Sequence, residues 1–251
     1  MTLDIITSPH LDGIKHGFFG RAGGASSGVF AGLNCGYGSS DQHDVVTINR
    51  RRVATEMGVA LDQLAGVHQV HSAKAVTLDA PVSPPPQVDG MATATKGLAL
   101  GILTADCQPV LFADKTAGVI GAAHAGWKGA LDGVLDATVT QMENLGANRK
   151  DITAVIGPTI SQANYEVGPE FRDRFLSEDP RYARFFLQGH GDRFQFDLPA
   201  FGIDRLKAIG VGQADWTRHC TYNAPDRFFS YRRSVHQQEA DYGRLIAAIC
   251  L

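Results

Sequence analysis

The sequence predicts an α+β protein, and three observations carry that prediction. Between Leu98 and Leu145 the chain reads as strand, turn, strand, turn, strand, then helix. Strands joined by turns this short pair antiparallel or within a mixed sheet. An amphipathic helical stretch precedes this block, and further short strands and helices follow it. The 251 residues, 44% hydrophobic and 20% charged, are within reach of one large domain with a sizeable core.

The elements follow in chain order. Residues 16 to 38, HGFFGRAGGASSGVFAGLNCGYG, are dense in glycine, as a tight hairpin or a loop folded closely over a ligand would be. Arg21 and Asn34 are its polar candidates. From Asp44 to Met57, Val45, Ile48, Arg52 and Val53 recur at helical spacing. Asp44 is the expected N-cap and Gly58 the stop. Within this helix Asn49 and Arg50 are the side chains that could turn inward to an anion. GVHQVHS, 66 to 72, reads as a strand, which would put His68 and His71 on opposite faces. Lys74 to Leu78 reads as another strand, and APVSPPPQ as a stiff exposed loop.

Leu98 to Ala105, Val110 to Ala113 and Val119 to His124 are the three strands of the central block. Apolar residues from Leu131 to Leu145 then mark one amphipathic helix ended near Gly146. Ile152 to Ile156 reads as a buried strand, and residues 169 to 187 as short helices rich in Phe and Arg. RFQFD, 193 to 197, alternates like a strand. Leu198 to Ile209 reads as a short helix, FFSYRR, 228 to 233, as strand-like, and DYGRLIAAICL as a last strand or helix.

Composition excludes several classes of partner. Lys plus Arg is 23 and Asp plus Glu 26, a net charge of -3, so there is no strong positive field for a nucleic-acid backbone. No apolar run approaches the roughly 20 residues needed to cross a bilayer. The opening MTLDIITSPHLDG has no basic segment followed by a long apolar one, so no signal peptide is expected. Cys35, Cys107, Cys220 and Cys250 form no CxxC pair. That argues against a disulfide framework and suits a reducing cytoplasm. A homodimer is left open.

Three side chains stand out as metal donors: His71, Cys107 and His124, each at or near the end of a strand-like run. Two histidines, one thiolate and an open fourth position form a known catalytic zinc arrangement, and the soft thiolate suits zinc or copper over magnesium. Such a metal lowers the pKa of water to near 7. Spacing alone leaves the alternative standing, since a buried free cysteine often serves as a small hydrophobe.

GVHQVHS, LTADCQPVLFAD, GAAHAGWKG, IGPTISQANYEVG and FFSYRR, in this order, closely resemble the YfiH-type family, as do RAGGASSGVFAGLN and INRRR nearer the start. Its members go under the names polyphenol-oxidase laccase-domain protein, purine nucleoside phosphorylase and peptidoglycan editing factor. The resemblance spans nearly the whole chain. It implies a single domain over 1–251, with layered mixed β-sheets flanked by helices. It also implies one mononuclear zinc or copper site on His71, Cys107 and His124. The laccase name fits the chemistry poorly. Multicopper oxidases carry repeated HxH motifs and an HCH segment, whereas this chain has nine histidines and neither motif.

For function, the resemblance implies phosphorolysis of adenosine, inosine and methylthioadenosine, with inorganic phosphate as co-substrate, plus hydrolytic deamination of adenosine. Asp106 is the expected proton carrier, with a turn residue capping its own backbone as the alternative. Arginine matches phosphate oxygens with parallel hydrogen bonds. Arg50 is therefore the first candidate for phosphate, with Arg21, Lys128 and Arg232 behind it and Asn34 and Asn49 as polar companions. Another reading makes Cys107 the nucleophile of a Cys–His hydrolase or amidase acting on cell-wall precursors or peptides. A third is a non-catalytic metal module closed by Cys220 or His219.

Overall fold

The computed structural model describes residues 2 to 251. The first half of the chain forms β1 (Ile5–Ile6), β2 (Lys15–Phe19), helix α1 (His43–Glu56), β3 (Leu64–Ala65), β4 (Ala75–Thr77), β5 (Gly90–Thr93), β6 (Ala99–Thr104), β7 (Gln108–Asp114) and β8 (Val119–Ala125). Helices α2 (Trp127–Asp132) and α3 (Val134–Asn144) and strands β9 (Thr153–Ile156) and β10 (Glu166–Val167) follow. The chain then forms α4 (Pro169–Glu178), β11 (Phe186–Gln188), β12 (Phe194–Phe196), α5 (Leu198–Ala208), β13 (Gln213–Trp216), α6 (Tyr231–His236) and β14 (Leu245–Cys250).

These build four layers. A five-stranded sheet, β1-β2-β14-β6-β3, lies against a six-stranded sheet, β13-β9-β7-β8-β5-β4. Phe18, Leu100, Ile102, Leu111, Ile120, Ala247 and Ile249 fill the space between them. The outer face of the first sheet buries Val53 and Ala54 of α1 and Met57 just after it. The outer face of the second buries Val134, Val139, Met142, Phe201 and Leu206 of α3 and α5. The inner strands of the two central sheets are thus covered on both faces, which is why β7 and β8 are buried along their whole length. A third, three-stranded sheet, β10-β12-β11, packs Phe186 and Phe196 against Phe171 and Phe175 of α4. The α+β class and the layered mixed sheets agree with expectation.

Several local expectations change. β6 does not pair with β7. It joins β14 and β3 in the facing sheet, and β7 with β8 is the actual hairpin. The chain therefore crosses between sheets at Ala105–Asp106–Cys107, with Asp106 at φ 86°. The 131–145 helix is two helices, because Gly133 adopts φ 108° and ends α2 before α3 begins. Residues 66 to 72 are not a strand. The backbone N–H groups of Val70, His71 and Ser72 turn to the Asp89 carboxylate instead of a neighbouring strand. FFSYRR ends in a helix: Ser230 Oγ accepts from Arg233 N and caps α6. α1 begins at His43, with Gln42 and not Asp44 at its N-cap.

Candidate metal centre and its two cavities

Cys107 sits at the crossover between the sheets, immediately before β7, while His124 sits near the end of β8, paired across the hairpin with Pro109. Because β7 and β8 run antiparallel, the start of one lies beside the end of the other, and both side chains emerge at the same edge. His71 reaches that edge from the irregular segment after β3, with φ 58°. The three donor atoms lie within 4.8 Å of one another. His71 Nε2 is 3.9 Å from Cys107 Sγ, and the two imidazoles meet edge to face at 4.6 Å between centroids.

Asp89, just before β5, organises this group, and sequence reasoning missed it. Its buried carboxylate accepts from His124 Nδ1 at 2.8 Å and from His71 N at 3.0 Å through Oδ1. Oδ2 accepts from Ser72 N at 2.6 Å and Ser72 Oγ at 2.8 Å. The first contact fixes the His124 tautomer and leaves Nε2 as the donor for a metal. The second holds the backbone of the other histidine. The only hint in the sequence is an Asp–Gly pair opening a strand, which reads as an ordinary turn.

The electrostatics follow from this packing. Burial works to raise the Asp89 carboxyl, but hydrogen bonds from His124 and Ser72 hold it down at about 2. Burial also works to raise the Cys107 thiol, yet His124 and His71 outweigh it and bring it to about 6. His124 would be lowered by burial and is instead raised to about 9 by Cys107 and Asp89. The site is therefore built to hold a thiolate, the form that ligates zinc or copper. Gly126 completes the fit. A Cβ there would stand 2.9 Å from Cys107 Sγ and 3.1 Å from His71 Cδ2, so the HAGW segment needs glycine to pass under the donors. Two soft or borderline donor types and a carboxylate-anchored imidazole suit zinc or copper, and the group could bind one metal ion. Neither Cys220 nor His219 belongs to it. Cys220 Sγ is taken by Ser161 N and Asn164 Nδ2.

Two cavities open on this group and share His71 and Cys107. The first, about 520 Å³, is lined by Arg50, Arg244, His68 and Gln69, and also reaches His124. The second, about 430 Å³, is lined by Trp127, Tyr165, Phe171, Tyr231 and Arg232. Arg50 stacks on Tyr37, gives Nη1 to the Cys35 carbonyl and makes no ion pair among the described residues. Arg232 gives Nη1 to the Glu166 carbonyl and lies over Tyr165.

The remaining candidates lie elsewhere or serve the frame. Asp106 is buried, and its carboxylate accepts from Thr221 Oγ1, Ser230 Oγ and Arg232 N. It thereby ties the crossover to the start of α6. Burial pushes its pKa up against those bonds. Both oxygens are occupied, which makes Asp106 a brace, and it also lines the second cavity beside Cys107. Asn49 accepts from Ala25 N and donates to the Gly32 and Asn34 carbonyls. Asn34 accepts from Gly36 N and Arg244 N. Both asparagines are fully buried and hold the glycine-rich loop. Arg21 is spent on the Ala31 and Pro225 carbonyls, in a separate small cavity. Lys128 is exposed and lines neither cavity.

Residues 15–251 match the family model described as multi-copper polyphenol oxidoreductase laccase. The chain is 40% identical over 249 residues to a Deinococcus radiodurans protein named purine nucleoside phosphorylase, covering 99% of this chain and 93% of that one. It is 35% identical over 213 residues to the Escherichia coli (strain K12) purine nucleoside phosphorylase YfiH, covering 85% and 86%. Among solved structures, a Neisseria meningitidis protein superposes with a TM-score of 0.90 at 33% identity, over 100% of this chain and 99% of the other. Bacillus licheniformis YfiH gives a TM-score of 0.89 at 27% identity, over 98% and 96%.

Proposed function

Because this chain belongs to the multi-copper polyphenol oxidoreductase laccase family, and relatives up to 40% identical are named purine nucleoside phosphorylase, we propose that it cleaves purine nucleosides with inorganic phosphate. The products are the free base and ribose 1-phosphate, or methylthioribose 1-phosphate from methylthioadenosine. Adenosine, inosine and methylthioadenosine are the substrates proposed, with hydrolytic deamination of adenosine as a second activity. The observation that carries the reading is the first cavity. It places Arg50 and Arg244 beside the His71–Cys107–His124 group with no carboxylate among its lining residues. An anion entering there meets Arg50, which has no ion-pair partner among the described residues, and Arg244, which is paired with Asp241.

Phosphorolysis develops positive charge on the ribose as the bond from C1′ to the base breaks, and phosphate must stand below C1′ to capture it. The Arg50 guanidinium, held by Tyr37 and the Cys35 carbonyl, keeps donors free for phosphate oxygens and orients the nucleophile. A zinc or copper ion on His71, Cys107 and His124 would supply Lewis acidity and lower the pKa of water, the property that hydrolytic deamination draws on. Asp89 keeps the donors aligned for it. A single three-donor group does not provide the cluster of coppers that a multicopper oxidase uses.

Chromatography of purified, metal-assayed protein with adenosine and inosine, with and without phosphate, tests the reading. It expects phosphate-dependent adenine and hypoxanthine, and phosphate-independent inosine from adenosine. Arg50→Ala should raise the KM for phosphate at least tenfold, and an unchanged KM would remove Arg50 from the site. No purine product under any condition, with metal bound, would end the proposal.

One observation favours a second reading. Cys107 at about 6, with His124 anchored by Asp89, also has the order of a nucleophile, base and orienting carboxylate. An amidase of this kind would act on peptide or cell-wall amides without metal. Activity that survives chelation but not alkylation of Cys107 would support it over the metal enzyme.

A further inference from the structure

The two cavities differ in character, and a nucleoside plus phosphate has two ends that differ in the same way. The first cavity carries arginines and lacks acids. The second is walled by the rings of Trp127, Tyr165, Phe171 and Tyr231, and its lining sets three carboxylates, Asp106, Glu166 and Glu170, against Arg193 and Arg232. Neither Glu166 nor Glu170 is ion-paired among the described residues, whereas Arg232 is held by the Glu166 carbonyl and Arg193 by Asp192. A phosphate placed there would face three carboxylates and only arginines that already have partners. A planar, neutral heterocycle would find flat apolar surfaces and, at its edge, acceptors for N–H groups.

The rings are held firmly. Trp127 packs on Phe171 at 4.8 Å between centroids, Phe171 packs on Phe175 at 5.1 Å, and Tyr165 meets Phe171 at 5.9 Å. The Tyr165 hydroxyl has no hydrogen-bond partner among the described residues, although burial keeps its pKa well above the ordinary value and so keeps it a donor. Tyr231 is 52% exposed and leans on Tyr242 at 5.0 Å. Its ring is available at the rim.

We propose that the aromatic cavity is the purine-base subsite and the arginine-lined cavity the phosphate subsite, so that the substrate straddles His71 and Cys107. This rests on the phosphorylase reading and adds the direction in which the nucleoside lies. The ribose bridges the two cavities over His71, Ala105 and Cys107, which line both, so the bond that breaks lies beside the donor group. Tyr231, Trp127 and Tyr165 then decide base affinity, and Arg50 decides phosphate affinity.

The test uses free adenine and inorganic phosphate as separate probes of the metal-loaded full chain. Trp127 and Trp216 are the two tryptophans, and only Trp127 lines the cavity. In a Trp216→Phe protein, adenine should quench the remaining fluorescence saturably, and phosphate should not. Tyr231→Ala should weaken adenine binding about tenfold, the scale of one lost base–aromatic stack, and leave the KM for phosphate within twofold. Arg50→Ala should do the reverse. Adenine that binds by calorimetry without quenching Trp127 overturns the assignment. So does adenine affinity that follows Arg50 and not Tyr231, or adenine that does not bind at all. The underlying reading fails separately, by wild-type protein releasing no base from inosine and phosphate.

Discussion

Replacing Asp89 with asparagine tests how the donor group is held. Asp89 spends its two oxygens on five donors: His124 Nδ1, the backbone N–H groups of Val70, His71 and Ser72, and Ser72 Oγ. Asparagine keeps one oxygen and turns the other into an NH₂ donor. If the amide nitrogen faces His124, it meets Nδ1–H and pushes the ring toward the other tautomer, which takes the lone pair from Nε2. If it faces Ser72, the segment that carries His71 loses its anchor. Either way one ligand is disordered. Losing such an outer partner typically costs 10–100-fold in metal affinity, or about 1.4 to 2.8 kcal/mol. Zinc competition against a chromophoric chelator reads this directly, with circular dichroism confirming that the variant is folded. Affinity within twofold of the wild type would refute the claim that Asp89 positions the ligands.

Other consequences follow from the same geometry. Cys107→Ala should abolish stoichiometric metal binding, measured by elemental analysis, and phosphorolysis with it. Gly126→Ala has an allowed backbone, with φ -63°, but its methyl would crowd Cys107 and His71. Metal affinity should fall several-fold in the same competition assay while the Tm barely moves. Asp106→Asn removes charge-assisted bonds to Thr221, Ser230 and Arg232. It should cost about 1.5–3 kcal/mol, read by thermal melting; lost deamination at an unchanged Tm would instead support a proton-carrier role. His16 is buried in β2 with its ring taken by Ser8 N and the Ile14 carbonyl, and burial lowers its pKa below 6.5. Above that pH, folded and unfolded chains both hold a neutral ring. Below it, the unfolded chain takes up a proton that the folded chain resists, so stability falls with pH until the folded pKa is reached. Denaturant melts from pH 7 to 5 should show a steeper loss in the wild type than in His16→Gln.

How much of this was legible in the sequence varies with the range of the interaction involved. The strands that carry Cys107 and His124 were visible, because β6, β7 and β8 are continuous apolar runs bounded by turn residues, the pattern of strands covered on both faces. Helix α1 was visible for its periodicity. Their pairing was not visible. Nothing local says that β6 belongs to the sheet opposite β7, since its long pairing is with β14, at the far end of the chain, and its short one with β3, more than thirty residues before it. The segment 66–72 misled for a related reason. Its Val, His and Gln alternation resembles a strand, but a carboxylate at Asp89 captures its N–H groups. In FFSYRR the buried Phe228 and Phe229 suggested a strand, though Ser230 before Tyr231 was a readable N-cap. Among the candidate polar residues, Arg50 and Arg232 line the cavities at the metal group. Arg21, Asn34 and Asn49 turn inward to backbone groups of the glycine-rich loop and of Pro225 and Arg244, a distinction that depends on partners distant in sequence.

The most direct measurement is the stoichiometry of the sugar product. Inosine and phosphate are incubated with metal-loaded protein, ribose 1-phosphate is followed by ³¹P NMR, and hypoxanthine by chromatography. The account predicts that the two appear one to one, that phosphate is consumed equally, and that Cys107→Ala forms neither. Hypoxanthine appearing with free ribose and no loss of phosphate would contradict it, as would undiminished turnover in Cys107→Ala.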